Sequence, residues 1–417
     1  MDTSKLQTLK GFRDFLPGEA EKRQNAVDII KKTFELYGFE PLETPALEYQ
    51  EVLLGKYGEE ADKLVYKFKD LGGRDVALRY DQTVPTARVL AQYYNRLPMP
   101  WRRYQIQPVW RAEKPQRGRY REFLQCDADI FGSSSVLADA EIIALSASVI
   151  KNLGFKNFKI YINDRNILYE LMDYANIAKD LQLSVISTID KLDRRTKEET
   201  AAELIDKGLT QKVIAHLFGH IEAAKPTQNI TALIRHVESL GVEKDKLLFQ
   251  ARLARGLDYY TSTIFELKID EYKAGSVAGG GRYDNLIKQL SGISIPAVGI
   301  AFGIDRLVEA MQEQKLFPEE RLKPSVLVTI FNPELTKMSA AVTEHLRKNG
   351  VIAELYPDEN TRLDKQLKYA DKKGIEWLIV IGPDEVKKDT TVLKNLKTGR
   401  QEDVPLKQLV EKIAKGA

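Results

Sequence analysis

Cysteine is almost absent from this sequence, because Cys126 is the only one among 417 residues. One thiol cannot close a disulfide within the chain, so a disulfide-stapled extracellular fold is excluded and a reducing, cytoplasmic location is expected. Long apolar runs are also missing, since WLIVIG at 377–382 is too short to span a bilayer. The first residues, MDTSKLQTLKGFRDFLP, lack the apolar stretch of a signal peptide. We therefore expect a soluble intracellular protein with no membrane partner.

Most of the common catalytic motifs are missing as well. There is no GxxxxGK(S/T) phosphate loop, no GxGxxG between a strand and a helix, no GxSxG and no CxxC. His216 and His220 stand four residues apart in HLFGH, but the glutamate of a HExxH zinc motif is absent and Gly219 weakens the helix. A helix surface or local packing explains these two histidines, and no metal site formed by the protein is predicted.

The charge is close to balanced. The 63 Lys and Arg residues and 60 Asp and Glu residues give a net charge of +3 and a pI of about 8.5. With 43% hydrophobic and 29% charged residues, the composition is that of an ordinary globular protein. A nucleic-acid partner is therefore predicted only if the cations cluster.

Hydrophobic periodicity divides the chain into three parts. Residues 1–163 and 251–320 alternate strand and helix patterns, with a β-hairpin pattern at 63–80, and are expected to form one domain. Residues 164–250 have a helical pattern and are expected to form an insertion. After a charged linker that contains proline, residues 325–417 follow a βαβαβ rhythm, which predicts a small α/β domain with a mainly parallel sheet.

The densest chemistry lies at 111–125, RAEKPQRGRYREFLQ, where five cations occur in eleven residues. The strand-like flanks, YQIQPVW and FLQCDADIF, place these cations where a hairpin converges. Phe123 stands beside them, and this combination suits a nucleotide because guanidinium groups grip phosphates while a ring stacks on a base. A solvated hairpin loop is the alternative, since most charge runs are solvated.

Two small-residue segments and one arginine are further candidates. The run Gly279, Gly280, Gly281 lets the backbone approach a ligand or another strand, although a plain turn gives the same pattern. GIAFGIDRL at 299–307 runs from a strand of small residues into a helix that carries Arg306. Arg255 begins the strand-like stretch RGLDYYTSTIFE, and a buried cation needs an anionic partner.

The order of these segments resembles the three motifs of class II aminoacyl-tRNA synthetases. A helix and strand ending at Pro45 come first, a strand–loop–strand with Arg111 follows, and a strand–helix with Arg306 comes last. Four stretches resemble signatures of the histidyl-tRNA synthetase family: LRYDQTVPTAR (78–88), RGRYREFLQCDADIFG (117–132), RGLDYY (255–260) and GGGRYD (279–284). The resemblance covers nearly the whole chain, and RGLDYY with GGRYD is its most specific part.

The resemblance implies a fold and a set of site residues. The fold is an α+β catalytic domain with an antiparallel sheet, a helical insertion and a C-terminal α/β anticodon-binding domain. The implied histidine-binding residues are Asp81, Thr83, Arg111, Gln125, Asp129, Arg255, Tyr259 and Tyr260. The implied ATP-binding residues are Arg111, Glu113, Arg119, Phe123 and Arg306, and the implied pocket wall is Gly279, Gly280 and Gly281. Arg111 and Arg255 are the implied catalytic residues, whereas Asp258 receives no role beyond a hydrogen bond in the turn.

The resemblance also implies an activity and partners. The reaction is the ATP-dependent ligation of L-histidine to tRNA(His) through a histidyl-adenylate, with release of AMP and pyrophosphate. ATP acts as a substrate together with Mg²⁺, and no tightly bound cofactor is expected. A homodimer is expected, because the segment ending at Pro45 typically lies at a two-fold interface in this class.

Two alternatives are weighed against this hypothesis. Histidine biosynthesis has a regulatory subunit built on the same catalytic fold, which binds histidine without charging tRNA. Such paralogues typically lack the C-terminal domain and lose motif residues, whereas Arg111, Arg255, Arg306 and the α/β tail are all present here. The second alternative is a synthetase for another amino acid, and RGLDYY disfavours it.

Replacing Arg255 with alanine is expected to lower adenylate formation by about 100-fold or more, because a cation beside the charge that builds on the α-phosphate is lost. Histidine-dependent ATP–pyrophosphate exchange measures this step, and circular dichroism checks that the fold survives. Exchange close to that of the unaltered protein would exclude this role for Arg255.

Overall fold

A computed structural model of the chain describes residues 6–56, 62–193, 195–254, 259–317 and 325–415. The chain divides into two units, Met1–Phe317 and Pro318–Ala417. Within the described residues, no helix combines the length and the apolar content needed to cross a lipid bilayer. Arg255 and Asp258 lie outside the described residues.

The first unit combines strands with helices. Its strands are β1 (Glu40–Pro41), β2 (Leu47–Tyr49), β3 (Lys67–Lys69), β4 (Asp75–Leu78), β5 (Trp101–Trp110), β6 (Glu122–Phe131), β7 (Phe158–Asp164), β8 (Leu247–Phe249), β9 (Thr263–Ile269), β10 (Ala278–Arg282) and β11 (Ala297–Gly303). Its α-helices are α1 (Pro17–Leu36), α2 (Gln50–Leu53), α3 (Thr83–Tyr93), α4 (Val136–Asn152), α5 (Arg165–Tyr174), α6 (Lys179–Ile189), α7 (Lys197–Asp206), α8 (Gln211–Ala223), α9 (Gln228–Ser239), α10 (Leu286–Ser291) and α11 (Ile304–Glu313). Helix α1 starts at Pro17, whose fixed φ and missing N–H suit the first helical position.

An eight-stranded sheet with the order β1-β5-β6-β11-β10-β9-β7-β8 organises this unit. Every pairing from β5 to β7 is antiparallel, whereas the edge strands β1 and β8 pair in parallel with their neighbours. The expected antiparallel catalytic sheet is therefore confirmed, with parallel edges that the sequence patterns did not predict. Strand β8 lies within the segment expected to be helical, so the end of that segment returns to the sheet.

One face of the sheet carries the main apolar core. Side chains alternate along β6, and Cys126, Ala128 and Ile130 point into this core. Helices α1, α4, α9 and α11 cover the same face, with Phe34 and Leu307 fully buried among them. Each large apolar side chain buried in this way stabilises the fold by about 1.5–3 kcal/mol. On β6, the opposite face carries the polar side chains of Gln125, Asp127 and Asp129.

A second apolar core joins the helical segment to that opposite side of the sheet. Leu168 on α5, Val185 on α6 and Leu217 on α8 belong to the same buried cluster as Tyr260 and Tyr283. The helical segment therefore packs against Tyr260, which precedes β9, and Tyr283, which follows β10. The expected domain edges, at residues 164 and 250, stay predictions.

A smaller antiparallel sheet, in the order β2-β4-β3, lies in the same unit. The pairing of β3 with β4 confirms the hairpin expected at 63–80. Strand β2 is an edge strand on which Leu47 and Tyr49 are 42% and 50% exposed. An exposed apolar edge is a surface that proteins normally cover.

The second unit has an α/β fold. Its strands are β12 (Ser325–Val328), β13 (Ile352–Leu355), β14 (Trp377–Val380), β15 (Thr390–Asn395) and β16 (Gln401–Pro405), and its α-helices are α12 (Thr336–Lys348), α13 (Leu363–Lys373), α14 (Pro383–Lys388) and α15 (Leu409–Lys415). The sheet order is β13-β12-β14-β15-β16, and β12 pairs in parallel with both of its neighbours, as the βαβαβ rhythm predicts. The sheet then continues through β15 and β16 as an antiparallel hairpin, so it is mixed rather than mainly parallel.

Glu203 on α7 connects several parts of the helical segment. It accepts hydrogen bonds from Lys191 Nζ at 2.7 Å, Thr188 Oγ1 at 3.0 Å and Arg195 Nη1 at 2.5 Å. The hydrogen bond from Lys191 makes the largest contribution to lowering the pKa of Glu203 to about 2, and Thr188 and the charge of Lys207 lower it further. Lys191 also lines a large cavity of the first unit, so Glu203 supports one edge of that cavity.

Replacing Glu203 with glutamine is expected to lower the free energy of unfolding by about 1–2 kcal/mol near pH 7, because the charge network is lost. The pKa in the folded state is about 2 and lies below the ordinary 4.5, so this stabilisation is present above pH 4.5 and disappears as the pH falls towards 2. Denaturant unfolding of both proteins should show their difference shrinking over that range.

The matched control is Glu222→Gln, which removes an exposed ion pair with Lys197 on the same helical segment. This control should change the free energy of unfolding by less than about 0.5 kcal/mol. A Glu203→Gln difference that stays constant as the pH falls would contradict the assignment.

Candidate active site

Strand β6 presents a row of polar side chains on the face of the sheet opposite the main core. Phe123, Gln125, Asp127 and Asp129 are spaced two residues apart, so they share one face of the strand. All four line a large cavity with a volume of about 1020 Å³. The three polar residues, Gln125, Asp127 and Asp129, are nearly completely buried, with exposures of 5%, 2% and 3%, respectively. The strand therefore forms a polar floor under the cavity.

Small residues on the neighbouring strands leave the space above this floor. On β11, Gly299 lies opposite Asp129, Ala301 opposite Asp127 and Gly303 opposite Gln125. A Cβ atom on Gly299 would lie only 1.8 Å from Asp129 Oδ1. The Asp129 carboxylate can therefore occupy its position only because residue 299 has no side chain.

The three glycines expected to form a pocket wall have different positions. Gly279 lines the cavity. Gly280 lies on the other face of the sheet, where a Cβ atom would meet Gly299 O at 2.0 Å and the Phe265 ring at 2.8 Å. A Cβ atom on Gly281 would lie 2.8 Å from the Tyr260 ring. Gly280 and Gly281 therefore allow close packing around the site without being among its lining residues.

Most residues expected from the sequence meet in this one cavity. The expected residues that line it are Asp81, Thr83, Arg111, Glu113, Arg119, Phe123, Gln125, Asp129, Tyr259, Tyr260, Gly279 and Arg306. They come from segments that are up to 225 residues apart in the sequence, from Asp81 to Arg306. Arg255 lies outside the described residues, so its place relative to the cavity stays a prediction.

Arg111 is held between two aromatic rings. Its guanidinium carbon lies 4.4 Å from the centre of the Tyr80 ring and 5.1 Å from the centre of the Phe123 ring. Its Nε atom also donates a hydrogen bond to Tyr80 O at 3.1 Å. Cation–π contacts fix the guanidinium group without neutralising its charge. Arg111 is therefore a pre-positioned cation that can bind an anion in the cavity.

The loop between β5 and β6 brings the other cations together. Arg119 Nη1 lies 3.5 Å from Glu113 Oε2. Arg306 on α11 donates through Nε to Gly118 O at 2.9 Å and through Nη1 to Ser276 O at 2.6 Å. Gly118 has a φ of +67°, and its Cβ would lie 3.2 Å from the Tyr272 hydroxyl, so glycine suits this position. The loop and α11 thus form one cationic end of the cavity.

Asp129 belongs to a buried charged cluster. Arg103 on β5 is fully buried, and its Nη2 lies 2.7 Å from Asp129 Oδ2 in a close ion pair without hydrogen-bond alignment. The Tyr283 hydroxyl donates a short hydrogen bond to Asp129 Oδ1. Burial raises the pKa of Asp129 above its ordinary value, and Arg103 and Tyr283 partly offset that increase. The carboxylate is therefore fixed in place while remaining at the cavity surface.

Arg79 supports the turn that carries Asp81 and Thr83. It is 2% exposed, and its Nη1 donates to Thr44 O at 2.7 Å and to Gln107 Oε1 at 3.0 Å. Asp81 Oδ1 accepts a hydrogen bond from the backbone of Val84 at 3.1 Å, at the start of α3. The turn is thus fixed both by the buried arginine and by the helix that follows it.

Sequence reasoning missed several residues of this site. Arg103, Asp127, Tyr283 and Gly299 all lie in the cavity lining or contact Asp129 directly. The signal for Arg103 is a buried arginine that pairs with an aspartate on the neighbouring strand. This signal can be recognised only when the strand register, which places Arg103 opposite Asp129, is known. Within the described residues, no group of three or more His, Cys, Asp or Glu side chains is arranged to hold a metal ion.

Comparison with solved structures identifies the class to which this fold and site belong. The crystal structure of histidyl-tRNA synthetase from Nostoc sp. PCC 7120 superimposes with a TM-score of 0.83, with 29% identity and 99% of each chain covered. A protein from Bacillus halodurans, described as an ATP phosphoribosyltransferase regulatory subunit/histidyl-tRNA synthetase, shares the fold with a TM-score of 0.72 and 23% identity over 90% of this chain and 97% of its own. The fold is that of the class II aminoacyl-tRNA synthetases.

Sequence comparison identifies the family. A family model described as histidyl-tRNA synthetase matches residues 11–307, and one described as an anticodon binding domain matches residues 325–416. Histidine–tRNA ligase of Gloeobacter violaceus is 41% identical over 96% of this chain and 97% of its own length. Histidine–tRNA ligase of Cytophaga hutchinsonii is 38% identical over 97% of this chain and 98% of its own length. This chain belongs to the histidyl-tRNA synthetase family, as the resemblance of its motifs predicts.

Replacing Gly299 with alanine is expected to displace the Asp129 carboxylate, because the new Cβ would lie 1.8 Å from Asp129 Oδ1. Overpacking of this kind lowers the free energy of unfolding by about 1–3 kcal/mol, and the affinity for a ligand that uses Asp129 should fall by about tenfold or more. Denaturant unfolding and calorimetric titration with histidine measure the two effects.

Gly303→Ala is the matched control on the same face of β11, because its Cβ would meet only Val277 O at 3.8 Å and Arg306 Cδ at 4.0 Å. Its unfolding free energy should change by less than about 1 kcal/mol. Equal stabilities of the two variants would contradict the steric role of position 299.

Proposed function

We propose that this chain ligates L-histidine to tRNA(His) in two steps driven by ATP, in the cytoplasm. Histidyl-adenylate forms first with release of pyrophosphate, and transfer of histidine to tRNA then releases AMP. The observation that carries the proposal is a single cavity that combines a fixed cation, Arg111, with a fixed carboxylate, Asp129, in a chain of the histidyl-tRNA synthetase family. These two groups match the reacting anions and the imidazole of the substrate, respectively.

In the first step, a carboxylate oxygen of histidine attacks the α-phosphorus of ATP. The bond from that phosphorus to the oxygen bridging the β-phosphate breaks, and pyrophosphate leaves. Two anions must approach each other, and charge builds on the α-phosphate, so pre-positioned cations are the main source of catalysis. Arg111 is already fixed by Tyr80 and Phe123, and we assign Arg255 to the same phosphate.

ATP enters together with Mg²⁺ as part of the substrate. Phe123 stacks on the adenine and Glu113 accepts a hydrogen bond from it, while Arg306 and Arg119 bind the outer phosphates. The carbonyl groups of Gly118 and Ser276 hold the Arg306 guanidinium in one orientation, so less conformational freedom is lost on binding.

Histidine lies along the polar floor. Asp81, Thr83 and Gln125 bind the α-amino end, whereas Asp129 and Tyr260 bind the imidazole nitrogens with Tyr259 beside them. A side chain that cannot hydrogen-bond leaves buried polar groups unpaired, and such sites discriminate by roughly 10⁴-fold without an editing site. The ion pair of Arg103 with Asp129 keeps this carboxylate ready to accept an imidazole N–H.

In the second step, a hydroxyl group of the terminal adenosine of tRNA attacks the carbonyl carbon of histidyl-adenylate, and AMP leaves. We assign the second unit to the anticodon, since residues 325–416 match an anticodon binding domain. We assign the helical segment to contacts with tRNA near the cavity, because its residues Asp190 and Lys191 line the cavity edge.

A homodimer is part of the proposal. Strand β2 begins two residues after Pro45, next to the segment that resembles motif 1, and exposes Leu47 and Tyr49 at a sheet edge. A second copy related by a two-fold axis would cover this edge with the same surface of its own.

One rival function is a regulator that binds histidine without ligation. The description of the Bacillus halodurans protein names a regulatory subunit. The two functions differ in catalysis, because a regulator does not exchange pyrophosphate. The pre-positioned Arg111 and the second unit favour the ligase.

The proposal is tested by histidine-dependent ATP–pyrophosphate exchange and by charging of tRNA(His) with the full chain. Both activities are expected, and deletion of residues 325–417 should preserve exchange while charging falls by about 100-fold or more, since a tRNA contact surface is lost. Histidine binding without exchange would indicate the regulator instead. Charging that survives the deletion would contradict the anticodon assignment.

A further inference from the structure

A segment at 10–16, just before helix α1, packs against the loop between β5 and β6. Gly11 O accepts a hydrogen bond from the backbone N–H of Arg121 at 2.9 Å. Gly11 has a φ of +91°, and a Cβ atom there would lie 2.8 Å from Pro115 Cγ and 2.9 Å from Arg121 Cγ. The missing side chain at position 11 therefore allows the segment to lie directly on the loop. This contact brings Arg13 to the loop.

Arg13 contacts both the loop and helix α11. Its guanidinium carbon lies 3.1 Å from the centre of the Tyr120 ring on the loop. Its Nη2 atom lies 2.5 Å from Oδ1 of Asp305, the second residue of α11. The side chain of Arg13 is 30% exposed and that of Asp305 is 5% exposed, so this ion pair is stronger than one on the open surface. Arg13 therefore connects the loop to the start of α11.

Arg23 and Phe15 hold Arg13 in this position. Arg23 Nη1 donates to the same Asp305 oxygen as Arg13 does. The guanidinium carbons of Arg23 and Arg13 lie 3.9 Å and 4.8 Å, respectively, from the centre of the Phe15 ring. Two like charges repel each other, and the shared carboxylate and the shared ring offset that repulsion. The Arg13 guanidinium is therefore fixed by three different residues besides Tyr120.

Two attachments hold the loop to α11, one on each side of Arg119. Gly118, the residue before Arg119, accepts a hydrogen bond from Arg306 Nε at 2.9 Å. Tyr120, the residue after it, stacks with Arg13, which pairs with the start of the same helix. The spacing between the guanidinium groups of Arg119 and Arg306 is therefore set from both sides of the loop.

We propose that Arg13 is a positioning residue for the binding of the outer phosphates of ATP, because it holds the loop to α11 with Arg119 and Arg306 at a fixed spacing. Those two arginines line the cavity, whereas Arg13 is not among its lining residues, so Arg13 acts through them. The assignment rests on the proposed function, which gives the outer phosphates to Arg119 and Arg306. Groups that bind these phosphates equally in the bound substrate and in the transition state affect the KM for ATP rather than kcat.

The test measures histidine-dependent ATP–pyrophosphate exchange by Arg13→Met, which keeps an apolar stem and removes the guanidinium group. The KM for ATP should rise by about tenfold, because a small displacement of a binding group weakens its contribution strongly. The KM for histidine and kcat should each change by less than about threefold. An unchanged KM for ATP or an equal rise of both KM values would overturn the proposal, as would a loss confined to kcat.

The matched control is Arg102→Met. Arg102 also combines an ion pair, with Glu141 at 2.7 Å, and a cation–π contact, with the Phe39 ring at 5.7 Å. Its side chain is 35% exposed, close to the value for Arg13, and none of these three residues lines the cavity. The KM for ATP should stay within about threefold of that of the unaltered protein. An equal rise in both variants would indicate a general structural effect and overturn the proposal.

The other end of the connection keeps the proposal testable if Arg13→Met fails to fold. Tyr120→Leu removes the ring on which Arg13 stacks, so it should raise the KM for ATP about as much as Arg13→Met does. The double variant should be no worse than either single variant, since one connection can be broken only once. Two independent contributions would multiply to about 100-fold and overturn the proposal. Tyr120→Phe keeps the ring and should restore the KM of the unaltered protein, so a raised KM in this variant would also contradict the assignment.

Calorimetric titration of ATP with Mg²⁺ in the absence of histidine separates this assignment from the proposed function, because no adenylate forms without histidine. The Kd of ATP should rise by about tenfold in Arg13→Met. An unaltered protein that shows this effect but no pyrophosphate exchange contradicts the proposed function alone. Equal ATP binding by the unaltered protein and Arg13→Met contradicts the assignment alone.

Discussion

The buried ion pair of Arg103 with Asp129 is the interaction on which the rest of the site depends. Both side chains lie inside the sheet, at 0% and 3% exposure, where a lone charge is strongly unfavourable. Removing one partner of such a pair typically destabilises a protein by about 3–5 kcal/mol. The pair is possible only because Gly299, directly opposite Asp129 on β11, has no side chain. The position of the Asp129 carboxylate is therefore set by three strands at once.

Two further charged groups of the site, Arg111 and Arg306, are also held in place by neighbouring groups. Arg111 lies between two rings, and Arg306 is bound to two carbonyl groups. Groups that need not reorganise during the reaction stabilise a transition state more effectively than mobile ones. The antiparallel sheet, with an apolar core on one face and a polar floor on the other, supplies the rigidity for this arrangement.

Much of the fold and of the candidate site could be predicted from local sequence. The residues and strands that were missed depend on pairing between strands. The polar residues of β6 follow the period of two in FLQCDADIF, and Arg111 and Arg306 lie within recognisable motifs. Arg103 gains its role only through the register of β5 with β6, which no local pattern shows. The small-residue stretch at 299–307 is visible in the sequence, but that Gly299 lies opposite Asp129 is not. Strand β1 lies in the strand expected before Pro45. The short edge strand β8 was missed, since three residues carry no periodicity.

A crystal structure with L-histidine bound tests the central claim, which is that the fixed Asp129 carboxylate recognises the imidazole. The account predicts an imidazole nitrogen about 3 Å from an Asp129 oxygen, with the ion pair to Arg103 retained. An imidazole ring that lies elsewhere in the cavity, with no nitrogen within about 4 Å of Asp129, would contradict it.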